Sequence, residues 1–244
     1  MNSRLLRRGE LTGSQRDQMH DLLAKHFAGV DRATFAADLA GKNWVLLLEA
    51  AGRLQGFTTI AAYDTVHEGR VISVVCSGDT IVEPTAWQSA ALPRSWIAAV
   101  REIRRRELRG AQVYWLLLTS GVRTYRLLPV FWRDFHPRYD VPIPAATEML
   151  MTALARERFR DGFRTDTGTV QFPAPQVLRE HLRVIAPGRL ADPHIAYFLR
   201  RNPGWHRGDE LVCLTEIAGD NLTTAGRRMW GAEASLPTAM ERAV

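Results

Sequence analysis

Between Arg70 and Arg109 the apolar positions change rhythm once. Val71, Ile72, Val74, Val75, Cys76, Ile81 and Val82 form a β-rich run broken only by Ser77-Gly78-Asp79, which predicts a strand over Arg70 to Val82. Glu83-Pro84-Thr85 predicts a loop, after which Trp87-Gln88-Ser89-Ala90-Ala91 opens a long helix to about Arg109. A helix N-terminus at the end of a strand offers unpaired amides and the positive end of the macrodipole, so a nucleotide-type cofactor would place its anionic group there. Polar residues in the middle of an apolar strand read first as a bulge. The second reading puts Asp79 to work as a general base or amine anchor, with Ser77 and Thr80 beside it as substrate-binding groups.

The same patterns organise the rest of the chain. Ser3 to Arg8 predicts a first strand, and a capped amphipathic helix follows Thr12-Gly13-Ser14 through Met19, Leu22, Leu23 and Phe27. Asp31 caps a second helix that stops near Gly41. Trp44 to Ala50 and Leu54 to Tyr63 predict a hairpin around Ala51-Gly52-Arg53. Gln112 to Thr119 is an almost continuous apolar strand, and Thr124 to Phe135 carries helical spacing with Pro129 inside it. Asp140-Val141-Pro142-Ile143-Pro144 is extended and Pro-punctuated, which divides the chain into residues 1–140 and a mainly helical extension, 141–244. In that extension Ala145 to Phe159, Pro175 to Arg183, Asp192 to Arg201 and Asn221 to Met229 are expected as helices, with Asp209 to Ile217 a strand.

Composition narrows the picture little. At 244 residues and 46% hydrophobic the chain can bury a full core. The start has too short an apolar segment for a secretory signal, and no run reaches the length of a membrane span, so a cytoplasmic, non-membrane protein is expected. Cys76 and Cys213 both lie in apolar runs and read as buried thiols, and no Cys/His cluster has metal-ligand spacing, so no metal is expected. Only Lys25 and Lys42 among the 32 basic residues are lysine, and the net charge is +6. The excess lies in the part of the chain up to Asp140, notably at Arg101, Arg104, Arg105, Arg106 and Arg109. That run is a solvated helix face or, on a second reading, a surface for an acidic partner.

The order strand, two helices, hairpin, strand, long helix, strand, helix is similar to the GNAT superfamily of acyl-CoA-dependent N-acyltransferases over about residues 3 to 137. The resemblance implies an α/β (α+β) fold: a central mixed, mostly antiparallel sheet flanked by helices, here with the helical extension added. It implies acetyl-CoA or another acyl-CoA as co-substrate, slotted where the central strands part. Ile81 and Val82 would line the pantetheine arm, with Trp87, Gln88, Ser89, Ala90 and Ala91 at the pyrophosphate. The family's signature in this loop is Gln or Arg, two residues, Gly, one residue, then Gly or Ala. This chain has no glycine between Asp79 and Arg109, and Gln88 with Ser89 to Ala91 is what remains of that signature.

The family also uses a tyrosine after the buried strand as general acid to the departing thiolate. Tyr125 takes that role in this reading, with Tyr114 and Tyr139 also available. Arg123 and Arg126 flank Tyr125 and are placed to hold an acidic group of the substrate. The expected reaction is attack of an amine, on a small molecule or peptide, on the thioester carbonyl. Asp79 or a water takes the proton, and a strand amide near Val82 polarises the thioester oxygen. Two other readings stand beside it. One is a non-catalytic, GNAT-like binding or regulatory protein. The other is an acyltransferase whose donor is a carrier protein or an aminoacyl-tRNA held by Arg101, Arg104, Arg105 and Arg109. The state of assembly is left open.

Overall fold

A computed structural model of the chain describes residues 1–87 and 89–231. It divides into two compact units. The first comprises Met1–Lys25, Val30–Val113 and the described residues from Arg227, and the second His26–Gly29 and Tyr114–Gly226. The division falls within the strand at Val113 and Tyr114.

The first unit is a four-stranded antiparallel sheet with helices. In chain order it holds β1 (Asn2–Arg7), α1 (Gly13–His26, whose last residue falls in the second unit), α2 (Arg32–Ala40), β3 (Trp44–Ala50), β4 (Arg53–His67), β5 (Arg70–Val82) and α3 (Ala91–Glu107). The strands lie in the order β1-β3-β4-β5. Trp44 to Leu48 of β3 are all buried, as expected of a strand paired on both sides. Asp31 caps α2 by accepting from the amides of Ala33 and Thr34. Helix α3 packs on β1, β3 and β4 with Trp96, Ile97, Ala99, Val100 and Ile103 on its buried side, and Arg101 and Arg104 to Arg106 face outward. Strand β4 runs past Tyr63 because Glu68-Gly69, both at positive φ, turn the chain tightly and let β4 and β5 pair to the end.

The second unit holds β2 (Phe27–Ala28), β6 (Gln112–Thr119, from Tyr114), α4 (Val122–Tyr125), α5 (Leu127–Phe131), α6 (Ala145–Phe159), β7 (Phe163–Arg164), β8 (Thr169–Val170), β9 (Val177–Leu178), α7 (Glu180–Arg183), α8 (Pro193–Arg201), β10 (Glu210–Glu216) and the start of α9 (Thr224–Gly231). Its strands β6, β10, β8 and β7 pair antiparallel in that order, and β2 pairs with β9. Every pairing within either unit is antiparallel, so the fold is the mixed α/β class expected.

Two expected helices are corrected. Thr124 to Phe135 is not continuous: α4 ends at Tyr125, α5 restarts at Leu127, and the chain is extended at Trp132, which bridges Leu222. Pro129 is the third residue of α5, where a missing N–H costs no helical bond. Pro175 to Arg183 is a two-residue strand and one helical turn. There Pro175 packs against Gly29 and Gly208, both at positive φ, and a Cβ on Gly29 would stand 2.6 Å from the Pro175 carbonyl. No described helix is long and apolar enough to cross a membrane.

Candidate active site

The polar interruption in β5 is a bulge. Thr58 faces Thr80 and Ile60 faces Ser77, so Thr59 alone stands opposite both Gly78 and Asp79. The bulge turns the Asp79 side chain out of the regular alternation of the sheet. Its Oδ2 is enclosed, with no hydrogen-bond partner among the described residues. An enclosed carboxyl prefers its neutral form, and burial pushes the Asp79 pKa up to about 7. The negative charge of Asp38 pushes in the same direction, and the Lys42 ammonium opposes both.

Lys42 and Asp38 come from the end of α2 and the turn after it. The Lys42 side chain is buried, and its Nζ donates to both carboxylate oxygens of Asp38 at 2.6 Å. It lies directly over the bulge. A Cβ on Gly78 would stand 2.9 Å from Lys42 Nζ, 2.5 Å from Thr59 Oγ1, and in overlap with Lys42 Cε. Gly78 is therefore required by the close approach of a side chain and not by its φ. Thr59 Oγ1 is also enclosed without a partner among the described residues. An Asp at pKa about 7, an ion pair and a bare hydroxyl thus converge on one bulge. The sequence singles out Asp79 as a candidate and does not single out Asp38, Lys42 or Thr59. The one local signal was a glycine inside a β-run, which points to a close approach but not to the side chain that makes it.

The neighbours expected to bind substrate are engaged elsewhere. Ser77 is buried, and its Oγ accepts the Trp96 indole N–H from α3 at 3.2 Å. Thr80 Oγ1 lies 2.7 Å from Thr58 Oγ1 and donates to the Gly78 carbonyl at 3.0 Å. Both hydroxyls, expected to bind substrate, are bonded within the structure around the bulge.

At the far end of β5, Ile81 is buried and Val82 half-buried. The Val82 carbonyl accepts the Trp87 indole N–H at 2.8 Å, and the Glu83 amide donates to the Gln55 carbonyl at 2.8 Å. A 3-10 turn at Pro84–Ala86 follows, and α3 begins at Ala91, later than the small residues suggested. Gln88 lies outside the described residues. Ser89 Oγ accepts the Ala91 amide at 3.1 Å, and Pro93, third in the helix, has no amide to offer. The start of α3 therefore fits the pyrophosphate of a coenzyme A poorly, with Arg94 the exposed cation on its first turn.

Tyr125, expected as the general acid, is engaged within the second unit. It is fully buried, and its hydroxyl donates to the Pro137 carbonyl at 2.9 Å. Burial first, then the neighbouring Cys213 and Tyr197, hold its pKa far above the ordinary range. Arg123 donates to the Leu182 carbonyl at 2.9 Å, and Arg126 lies 3.1 Å from the Asp192 carboxylate, within ion-pair distance although not aligned as a hydrogen bond. Both tie local segments of the second unit together. On α3, Arg101 donates to the Trp230 carbonyl at 2.7 Å and Arg105 and Arg106 both pair with Glu102, which leaves Arg104 and Arg109 as the exposed members of the basic set whose guanidinium makes no such bond among the described residues.

No family model matches the chain, and no curated protein matches it. Solved structures do. An acyl-CoA N-acyltransferase from Pseudomonas aeruginosa is 18% identical over 47% of this chain and 77% of its own, at a TM-score of 0.37. An acetyltransferase from Trypanosoma brucei is 20% identical over 58% of this chain and 100% of its own, at 0.37. A GNAT family N-acetyltransferase from Escherichia coli, in complex with CoA, is 13% identical over 52% of this chain and 67% of its own, at 0.38. One of these three carries the GNAT family name and all three are named as acyl- or acetyltransferases, and with each of these scores below 0.5 the chemistry of the site is read from this chain's own residues.

Proposed function

We propose that the chain is an N-acyltransferase that uses Asp79 as its general base and a thioester as its acyl donor. The observation that carries this reading is the half-buried Asp79 on the bulge of β5, with its Oδ2 enclosed and its pKa pushed up to about 7. A base is most effective when its pKa lies near the working pH, and acyl transfer to nitrogen requires one. The amine nitrogen of a small molecule or peptide attacks the thioester carbonyl carbon, Asp79 accepts the proton that nitrogen loses, and the carbon–sulfur bond breaks. An alkyl thiol titrates near 8.5, so the sulfur leaves as a competent thiolate and takes a proton from water. Tyr125 has no part in this sequence.

Acyl-CoA, acetyl-CoA first, is the donor to test. Release of free thiol is followed for donors from acetyl to long-chain, each against a panel of primary amines. The reading expects amine-dependent thiol release that falls by about 10²-fold or more in Asp79→Asn. Absence of amine-dependent release with every donor, or full activity in Asp79→Asn, overturns it.

The engaged Ala91 amide and Pro93 favour a second reading, in which the acyl group arrives on a carrier protein or a tRNA and no pyrophosphate has to be held at α3. Arg104 and Arg109 would then meet the acidic carrier. Binding that weakens steeply with salt and is lost on Arg104→Glu supports this reading, and binding indifferent to salt removes it.

A further inference from the structure

A buried lysine has to be balanced, and the balance here stands beside the candidate base. Lys42 sits in the turn after α2 with its stem and ammonium laid across the bare backbone of Gly78, one residue before Asp79. Asp38, one helical turn back, holds that ammonium with both carboxylate oxygens and, at 3.4 Å, with its own backbone carbonyl. Asp38 keeps much of its carboxylate in water, at 40% exposure, and Lys42 has 6%. A charge pair used only to finish a helix would leave a lysine in water, where desolvation costs nothing. This pair instead desolvates an ammonium to stand over a bulge, next to two enclosed oxygens, Asp79 Oδ2 and Thr59 Oγ1, that have no partner among the described residues.

We propose that Lys42, clamped by Asp38 over Gly78, is a positioning residue for Asp79: the pair fixes the charge state in which that carboxyl serves as base. The inference rests on the reading of Asp79 as a base. The charged groups that act on Asp79 are Asp38 from α2 and Lys42 from the following turn, and β4 contributes the neutral Thr59 across the bulge. The two charges act with opposite sign. Removing Lys42 takes away the cation that favours the Asp79 anion and leaves Asp38 unneutralised beside it. Removing the Asp38 charge relieves the repulsion and turns the whole Lys42 charge toward Asp79.

The test is the titration of Asp79 itself, followed by carboxyl-carbon NMR on the full chain, with the resonance assigned by its loss in Asp79→Asn. The midpoint is expected to move down in Asp38→Asn and up in Lys42→Met, each by about half a unit or more. A purely structural pair would shift neither midpoint, or both in one direction, and either result overturns the proposal. If Lys42→Met fails to fold, Asp38→Asn alone decides, since an amide still accepts from Lys42 and keeps the packing. A downward shift then supports the proposal, and an unmoved or raised midpoint refutes it. No turnover is needed, so an inactive chain with opposite shifts would refute the acyltransferase and leave the charge device standing.

Discussion

At the scale of single residues, Asp79 carries two linked consequences. Its folded-state pKa, about 7, is above the ordinary 3.8, so the folded state holds this proton more tightly than the unfolded chain does. The stability this contributes is complete below pH 3.8 and is lost as pH rises through 7. Asp79→Asn removes the penalty of the buried charge. The variant is therefore expected to be more stable than wild type at pH 8 by about 4 kcal/mol, with little difference at about pH 4, as measured by urea unfolding at the two pH values. Gain of stability together with loss of activity is what a functional carboxyl should show. Tyr125 behaves in the opposite way. Tyr125→Phe leaves the Pro137 carbonyl without its donor and is expected to cost about 1 kcal/mol while kcat/KM and its pH profile stay within about twofold of wild type. A changed basic limb in that variant would return Tyr125 to the chemistry.

Elements set where those residues stand. The bulge on β5 exists because Ser77 is anchored by Trp96 on one side and Thr80 by Thr58 on the other, with a glycine between them that admits Lys42. Gly78→Ala is expected to displace Lys42 or flatten the bulge, at a cost of about 1–3 kcal/mol, and to move the Asp79 titration with it. Helix α2 ends at the pair and is held at its start by the Asp31 cap. Asp31→Ala is expected to lower the urea midpoint with an unchanged m-value and to leave the midpoint of Asp79 in place, because the cap is remote in function from the charge pair. At the start of α3, Pro93→Ala restores a helix N-terminal amide. If the donor's phosphates lie there, calorimetry should show acyl-CoA binding tightened several-fold, and an unchanged affinity would favour the carrier-held donor.

For the whole molecule, legibility followed the length and isolation of each pattern. Strands β3, β5 and β6 and helix α6 were readable to the residue because long apolar runs or long periodic stretches end at clear breaks. Gly78 inside an apolar strand gave the bulge and with it Asp79. What sequence could not give were the elements made by distant partners. The strand at Val177–Leu178 exists only because Phe27–Ala28 pairs with it, and the gap between α4 and α5 reflects a chain drawn out at Trp132 and His136 to bridge Leu222 and Leu214. Lys42 was hidden for the same reason: nothing local to Gly41-Lys42-Asn43 says that its ammonium is buried over a strand it does not adjoin in sequence. Small residues at Ser89 to Ala91 resemble an open helix start, and only the structure shows that Pro93 and the Ser89 hydroxyl take up donors that such a start would supply.

The central claim, that an enclosed carboxyl near neutrality is the base of an acyl transfer, is tested most directly by the pH dependence of kcat/KM for amine-dependent thiol release, in wild type and Asp79→Asn together. The account predicts a wild-type rate that falls about tenfold per pH unit below about 7, and an Asp79→Asn rate lower by about 10²-fold or more without that limb. An Asp79→Asn profile that overlays the wild type, limb included, would contradict it.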